Sequence, residues 1–183
     1  MTVIETARLR LRPRTLADLE LIVAMDADPC VRRYIGGPLD PVSRRAELRS
    51  RILEGRAEPY ASWAIEWNGR PCFVGICDLS LGEETGCSRI GWRLLRPNWR
   101  QGIASEAAQA ILDRALFTLG LDPVVALVHP ENQASICVAA KIGMRYSGLT
   151  SFRGAPQLIY RADALRGGKA RSGNRVTTTK LKR

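Results

Sequence analysis

Hydrophobic and polar positions alternate along the first strand-like stretch. In "ARLRLRP", Ala7, Leu9 and Leu11 interleave with Arg8, Arg10 and Arg12, the period of a half-exposed strand. The period then lengthens to that of a helix. Thr15 is placed to cap it, with Asp18 at the N3 position, and Leu16, Leu19, Ile22 and Val23 form its apolar stripe. A second helix is expected from Asp40-Pro41, a cap followed by proline at the first helical position, to a stop before Gly55. Its Arg44, Arg45, Arg49 and Arg51 read as a solvated face. "ASWAIEW", "NGR" and "PCFVGICDLSL" predict a hairpin, because Trp63, Ile65 and Trp67 share one face and Asn68-Gly69 supplies the positive φ angles of a tight turn. "CSRIGWRLL" adds a third strand that ends at Pro97.

After Pro97 the pattern changes. Ala104, Ala107, Ala108, Ile111, Leu112, Ala115, Leu116 and Leu119 recur at helical spacing, and Gly120 suits a left-handed helix end. A buried strand "VVALV", a helix over about 134–142 and strands around "MRYSGLTSF" and "PQLIYRA" complete the pattern. An antiparallel front half running into a β-α-β crossover predicts an α/β (α+β) fold: a central mixed, mostly antiparallel sheet flanked by about four helices.

At 183 residues and 45% hydrophobic content the chain is expected to form one domain. It has no apolar run long enough for a membrane span and no apolar signal region after its first arginines, so the expected compartment is the cytoplasm, with no membrane partner. The five cysteines are odd in number and form no C-x-x-C pair, which fits reduced thiols. A zinc site from Cys72, Cys77, Cys87 and His129 lacks ligand spacing and ranks below buried thiols, so no metal is expected. The net charge of +10 resembles a nucleic-acid signal until it is located. Residues 166–183 carry seven positive charges and no acid, which leaves +3 on residues 1–165. The expected organisation is therefore a domain over 1–165 and a basic tail over 166–183, too poor in large apolar residues to order itself. With no aromatic residue, the tail is expected to give at most weak, sequence-independent nucleic-acid or ribosome contact.

The segment "NWRQGIASEA" puts Gly102 where a strand turns into a helix. The first amides of a helix lack internal acceptors and the aligned peptide dipoles favour an anion there. The turn lacks both G-x-x-x-x-G-K-[ST] and G-x-G-x-x-G, which removes the main support for nucleotide hydrolysis and dinucleotide binding. Further on, "HPENQASICVAAKIGMRYSG" places Asn132 after a buried strand and Ser135 on the first turn of the next helix, closed by Lys141-Ile142-Gly143-Met144.

Together with "IGWRLLRPNWRQGIASEAAQAIL" and the opening "T-x-R-L-x-L-R-P", this segment resembles the GNAT superfamily of acetyl-coenzyme A-dependent N-acetyltransferases, and within it the RimJ/RimL type, over about residues 5–163. The resemblance implies acetyl-CoA as cosubstrate. It puts the pyrophosphate motif on Trp99, Arg100, Gln101, Gly102, Ile103 and Ala104, where Ser105 adds a hydroxyl. Arg100 stands where that branch usually has glycine, so either the turn needs no positive φ there or its shape differs; the side chain is also able to reach a phosphate. Leu94, Leu95 and Arg96 match the stretch that pairs with the pantetheine arm, and Asn132 matches a cofactor-contacting asparagine or simply caps its helix.

The resemblance makes Ser135 the candidate general acid, because the tyrosine that many members use is replaced by Ala139; otherwise Ser135 only satisfies helix amides. The base is open: Arg89 stands where glutamate is common, and Glu66, Asp78, Glu83 and Glu84 each read as surface charges, while His129 reads as structural. A base-poor site suits α-amines, with a pKa of about 7.7–8, over lysine at about 10.4. The expected activity is acetyl transfer to a protein N-terminus or a small-molecule amine by a monomer or homodimer. The alternative is a non-catalytic binding module that uses its tail on ribosomes or nucleic acid.

Overall fold

The computed structural model describes residues 2–54, 59–82, 85–152 and 154–164. Eight strands form one sheet in the order β1-β2-β3-β4-β5-β6-β8-β7, built from β1 (Ile4–Glu5), β2 (Leu9–Pro13), β3 (Ala61–Trp67), β4 (Arg70–Gly82), β5 (Cys87–Leu94), β6 (Val124–Val128), β7 (Arg145–Phe152) and β8 (Ala155–Ala162). Every pairing is antiparallel except β5 with β6. The helices are α1 (Leu19–Ala27), α2 (Pro29–Arg32), α3 (Pro41–Glu54), α4 (Ile103–Asp113) and α5 (Gln133–Lys141).

The predicted alternation of β2 holds from Leu9 onward: Leu9 and Leu11 are buried, whereas Ala7 precedes the strand and is exposed. The predicted caps act as expected. Asp18 accepts from the Thr15 backbone N–H at 2.7 Å, and Asp40 accepts from the Ser43 N–H at 2.8 Å. The sheet buries both faces. Trp63, Ile65, Leu79, Ile90 and Leu94 pack with α4 and α5, while Ala64, Phe73 and Ile76 pack with Ile22, Val23, Met25 and Leu48 of α1 and α3. No helix among the described residues is long and apolar enough to cross a membrane.

Two expected surface charges are instead buried. Arg44 is 7% exposed because α3 turns it onto Asp26 of α1, to which its Nε donates at 2.8 Å. Glu66 is 5% exposed and accepts from Arg12 Nε at 2.8 Å. In both cases a helical or strand pattern of charge hid a partner brought in by tertiary packing; a buried charge persists only when paired.

The sheet is split in its middle. β5 and β6 pair only at Ser88 with Val124 and Arg89 with Val125, after which the two parallel strands diverge. The β4–β5 ladder fixes which groups face this gap. The Leu95 N–H donates to the Val74 carbonyl at 3.0 Å, making Gly75 and Leu94 a non-hydrogen-bonded pair. By alternation, the backbone N–H and C=O groups of Ile90, Trp92 and Leu94 point away from β4; Ile90 flanks the last β5–β6 pair, and Trp92 and Leu94 lie beyond it, facing the gap. Gly75 is required here, since a Cβ at this position would collide with the Arg93 carbonyl and the Leu94 side chain.

Candidate active site

A cavity of about 300 Å³ opens where β5 and β6 separate. Its walls include Ile90–Arg93 of β5 and the segment 126–129 of β6 and its exit; Asn132 and Ser135 reach it from the start of α5, and Tyr34, Leu39 and Arg44 from the opposite side. Gly91 leaves room beside it, because a Cβ there would meet nothing within 4 Å.

Asn132 and Ser135, three positions apart at the start of α5, both line this cavity. Asn132 is the cap of α5, its Oδ1 accepting from the Ser135 N–H at 3.1 Å. The cap occupies the serine's backbone, not its side chain, and the Ser135 hydroxyl makes no hydrogen bond among the described residues. His129 has a structural place: its ring stacks on Tyr34 with centroids 5.2 Å apart, and its Nδ1 accepts from the Glu131 N–H at 3.2 Å.

The four carboxylates considered as bases separate. Glu66 is taken by Arg12, and Glu83 and Glu84 lie outside the described residues. Asp78, read from sequence as a surface charge, is half-buried in the cavity wall, hydrogen-bonded to the Ser62 hydroxyl, with Arg93 Nη2 at 4.0 Å. Its strand position explains this: Asp78 pairs with Gly91, on the sheet face that α1 and α3 cover. Arg89, at the position where the resembled branch often has glutamate, lies over the Phe152 ring at 4.9 Å.

The Gly102 turn forms a second part of the site. Gly102 caps α4 at φ 76°, and Arg100 also adopts positive φ, 60°. The turn therefore keeps the left-handed position despite the arginine. The first helical bond runs from Glu106 N–H to the Gly102 carbonyl at 3.0 Å, so the amides of Ile103, Ala104 and Ser105 precede the helical ladder, and glycine provides no side chain to cap them. Trp99 folds back, its indole N–H donating to the Leu94 carbonyl at 2.9 Å; Gln101 donates to the Pro97 carbonyl at 2.8 Å. Leu95 and Arg96 form the connection, where Asn98 N–H bonds to the Leu95 carbonyl and Trp99 N–H to the Arg96 carbonyl. An extended chain ending in phosphates fits this layout: open strand edges in the gap and unsatisfied amides at α4.

Sequence reasoning missed the residues that hold α4 in place. Glu106 accepts from the Thr6 hydroxyl at 2.6 Å, from the Arg8 N–H at 2.9 Å and from Arg8 Nε at 2.7 Å, and Arg8 Nη1 donates to the Gln101 carbonyl at 3.1 Å. Burial opposes ionisation of Glu106, but the Thr6 and Arg8 hydrogen bonds outweigh it and hold its carboxyl below the ordinary glutamate value. It also missed Asp26, which is fully buried and bonded to both Arg44 and Arg93. The zinc constellation does not assemble: Cys72 is exposed, whereas burial in the core pushes the Cys77 thiol well up, and no three potential ligands cluster among the described residues.

Comparison with known proteins agrees with this geometry. The acetyltransferase (GNAT) domain family matches residues 8–145. An uncharacterized N-acetyltransferase p20 of Bacillus licheniformis is 31% identical over 155 residues, covering 81% of this chain and 85% of that protein. The crystal structure of an acetyltransferase from Agrobacterium tumefaciens superposes with TM-score 0.78 at 28% identity, covering 88% of this chain and 94% of the other. RimL, a ribosomal L7/L12 α-N-protein acetyltransferase solved with coenzyme A, shares the fold at TM-score 0.73 and 17% identity, covering 88% and 97%. The chain belongs to the GNAT acetyltransferase family, enzymes that transfer an acetyl group from acetyl-CoA.

Proposed function

We propose that this protein is an N-acetyltransferase of RimJ/RimL-like type that acetylates a primary amine, with Ser135 as general acid and Asp78 as base. The observation that carries the proposal is the Ser135 hydroxyl, left without an internal hydrogen bond on the wall of a cavity that opens at the β5–β6 gap. In this reading the pantetheine arm lies along the edges of Trp92 and Leu94, with Leu95 and Arg96 leading to the turn. The pyrophosphate sits on the amides of Ile103, Ala104 and Ser105, beside Gly102, Gln101, Trp99 and the guanidinium of Arg100. Asn132 keeps its cap and offers its side-chain amide to the same arm.

The amine nitrogen attacks the thioester carbonyl, the C–N bond forms and the C–S bond breaks. Asp78 takes the proton from the nitrogen and passes it to water. Ser135 gives its hydroxyl proton to the departing sulfur and regains one from solvent. Each group serves as acid or base at a stated atom, an effect typically worth about 10²–10⁴ in rate.

Ser135→Ala is expected to lower kcat by roughly 10²–10⁴ while leaving coenzyme A affinity within about twofold. Wild-type kcat would reduce Ser135 to a helix residue. Gly102→Asp, which adds a negative charge where the helix dipole favours an anion and places a Cβ 3.4 Å from the Arg8 guanidinium, is expected to weaken coenzyme A binding severely by calorimetry.

A further inference from the structure

The cavity's charged walls are unbalanced: Arg32, Arg44, Arg51 and Arg93 face it against Glu47 and Asp78. Three of the arginines have assigned work. Arg32 donates to the Ile35 and Gly37 carbonyls at 2.6 and 2.7 Å, Arg44 to Asp26 and Glu47 at 2.8 and 3.0 Å, and Arg51 approaches Glu47 at 2.6 Å. Arg93 differs. One terminal nitrogen is anchored on the fully buried Asp26, while the other stands 4.0 Å from Asp78, beyond hydrogen-bond reach. A fixed donor and a fixed acceptor thus lie side by side on one sheet face, with the space above Gly91 open.

We infer that the acceptor is a free α-amino acid with an apolar side chain, its carboxylate bound by Arg93 and its amine delivered to Asp78. This rests on the acetyltransferase reading above and specifies its substrate. An α-amino acid carries its anion and its amine on one carbon, which matches a guanidinium and a carboxylate that stand 4.0 Å apart, an ion pair too long for a hydrogen bond. Bidentate or charge-assisted bonds to a preorganised arginine favour a carboxylate over a neutral amide. A polycationic amine finds only the Asp78 and Glu47 carboxylates on this wall, both beside arginines, and is disfavoured relative to an amine that brings its own anion. A peptide N-terminus brings the amine but only a neutral amide beside it, leaving the Arg93 edge unmatched. Tyr34, Ile35, Leu39 and Phe152 supply apolar wall for the side chain, and about 300 Å³ suits a small ligand.

The test is a thiol-release assay on the full-length enzyme with acetyl-CoA and L-phenylalanine or L-leucine, against L-phenylalaninamide, phenethylamine, a phenylalanyl peptide and spermidine. The amino acids are expected to exceed their amides and decarboxylated amines in kcat/KM by about tenfold or more, the worth of a charged hydrogen bond. In Arg93→Lys, which keeps a cation against Asp26 but loses the fork, KM for the amino acid should rise about tenfold and the preference over the amide should largely vanish, with folding checked by circular dichroism. Equal or better turnover of the amide, the peptide or spermidine overturns the acceptor assignment while leaving acetyl transfer intact. Binding of acetyl-CoA with no thiol release on any amine overturns the acetyltransferase reading and this inference with it. An unchanged preference in a folded Arg93→Lys removes Arg93 from the carboxylate site.

Discussion

Arg100 is the only non-glycine residue with positive φ among the described residues, and it lies two positions before Gly102 in the turn that leads into α4. An L-residue in the left-handed region costs about 1–2 kcal/mol, so another interaction must favour arginine where glycine would be easier. Phosphate recognition is such an interaction under the proposed function. Arg100→Gly is therefore expected to act in opposite directions on two measurements. Stability should rise by about 1 kcal/mol, a shift of roughly 2–4 °C in Tm for a chain of this size, and the Kd for coenzyme A should rise several-fold by calorimetry. Unchanged affinity would leave the arginine's strained backbone without a ligand to explain it.

Elements are where the sequence was informative and where it stopped being so. Gly102, Asn132 and Ser135 were legible because caps and turns are decided within a few residues of chain. The hairpin at Asn68-Gly69 was legible for the same reason. Arg8 with Glu106, 98 positions apart, and Arg93 with Asp26, 67 apart, depend on sheet register and helix placement, which a local period does not encode. Arg44 was misread because a helical repeat of arginines looks the same whether a buried aspartate stands opposite or not. The anchoring of α4 has a pH consequence. The Glu106 carboxyl is depressed in the fold, so its contribution is fully present above the ordinary glutamate value of about 4.3 and is lost as pH falls through its lower folded value. Asp18 behaves alike: burial opposes its ionisation, but the hydrogen bonds from Arg12 and Thr15 prevail. Urea denaturation between pH 7 and pH 3 should show stability falling below about pH 4.5, with a shallower fall in Glu106→Gln; equal slopes in the two proteins would remove Glu106 from the acid response.

On the scale of the whole molecule, the sheet is continuous from β1 to β5 and from β6 to β7 and splits where β5 and β6 diverge, between a core under α4 and α5 and a second under α1 and α3; the proposed function places chemistry and cofactor recognition at that split. All residues assigned to that site lie within residues 8–152, whereas seven positive charges lie in residues 166–183, outside the described residues. The expectation of a catalytic unit over 1–165 can be tested directly. A protein ending at residue 165 should keep its circular dichroism spectrum, its coenzyme A affinity and its kcat on a small amine. Any tail effect should be on kcat/KM for an anionic acceptor, because a basic extension raises encounter rates with anions without touching the chemical step. That effect should be visible at low ionic strength and nearly gone at 0.15 M, where the screening length is about 8 Å. Stopped assays of both proteins across salt concentrations separate the outcomes. A salt-independent loss of kcat on truncation would place part of the active unit beyond residue 165.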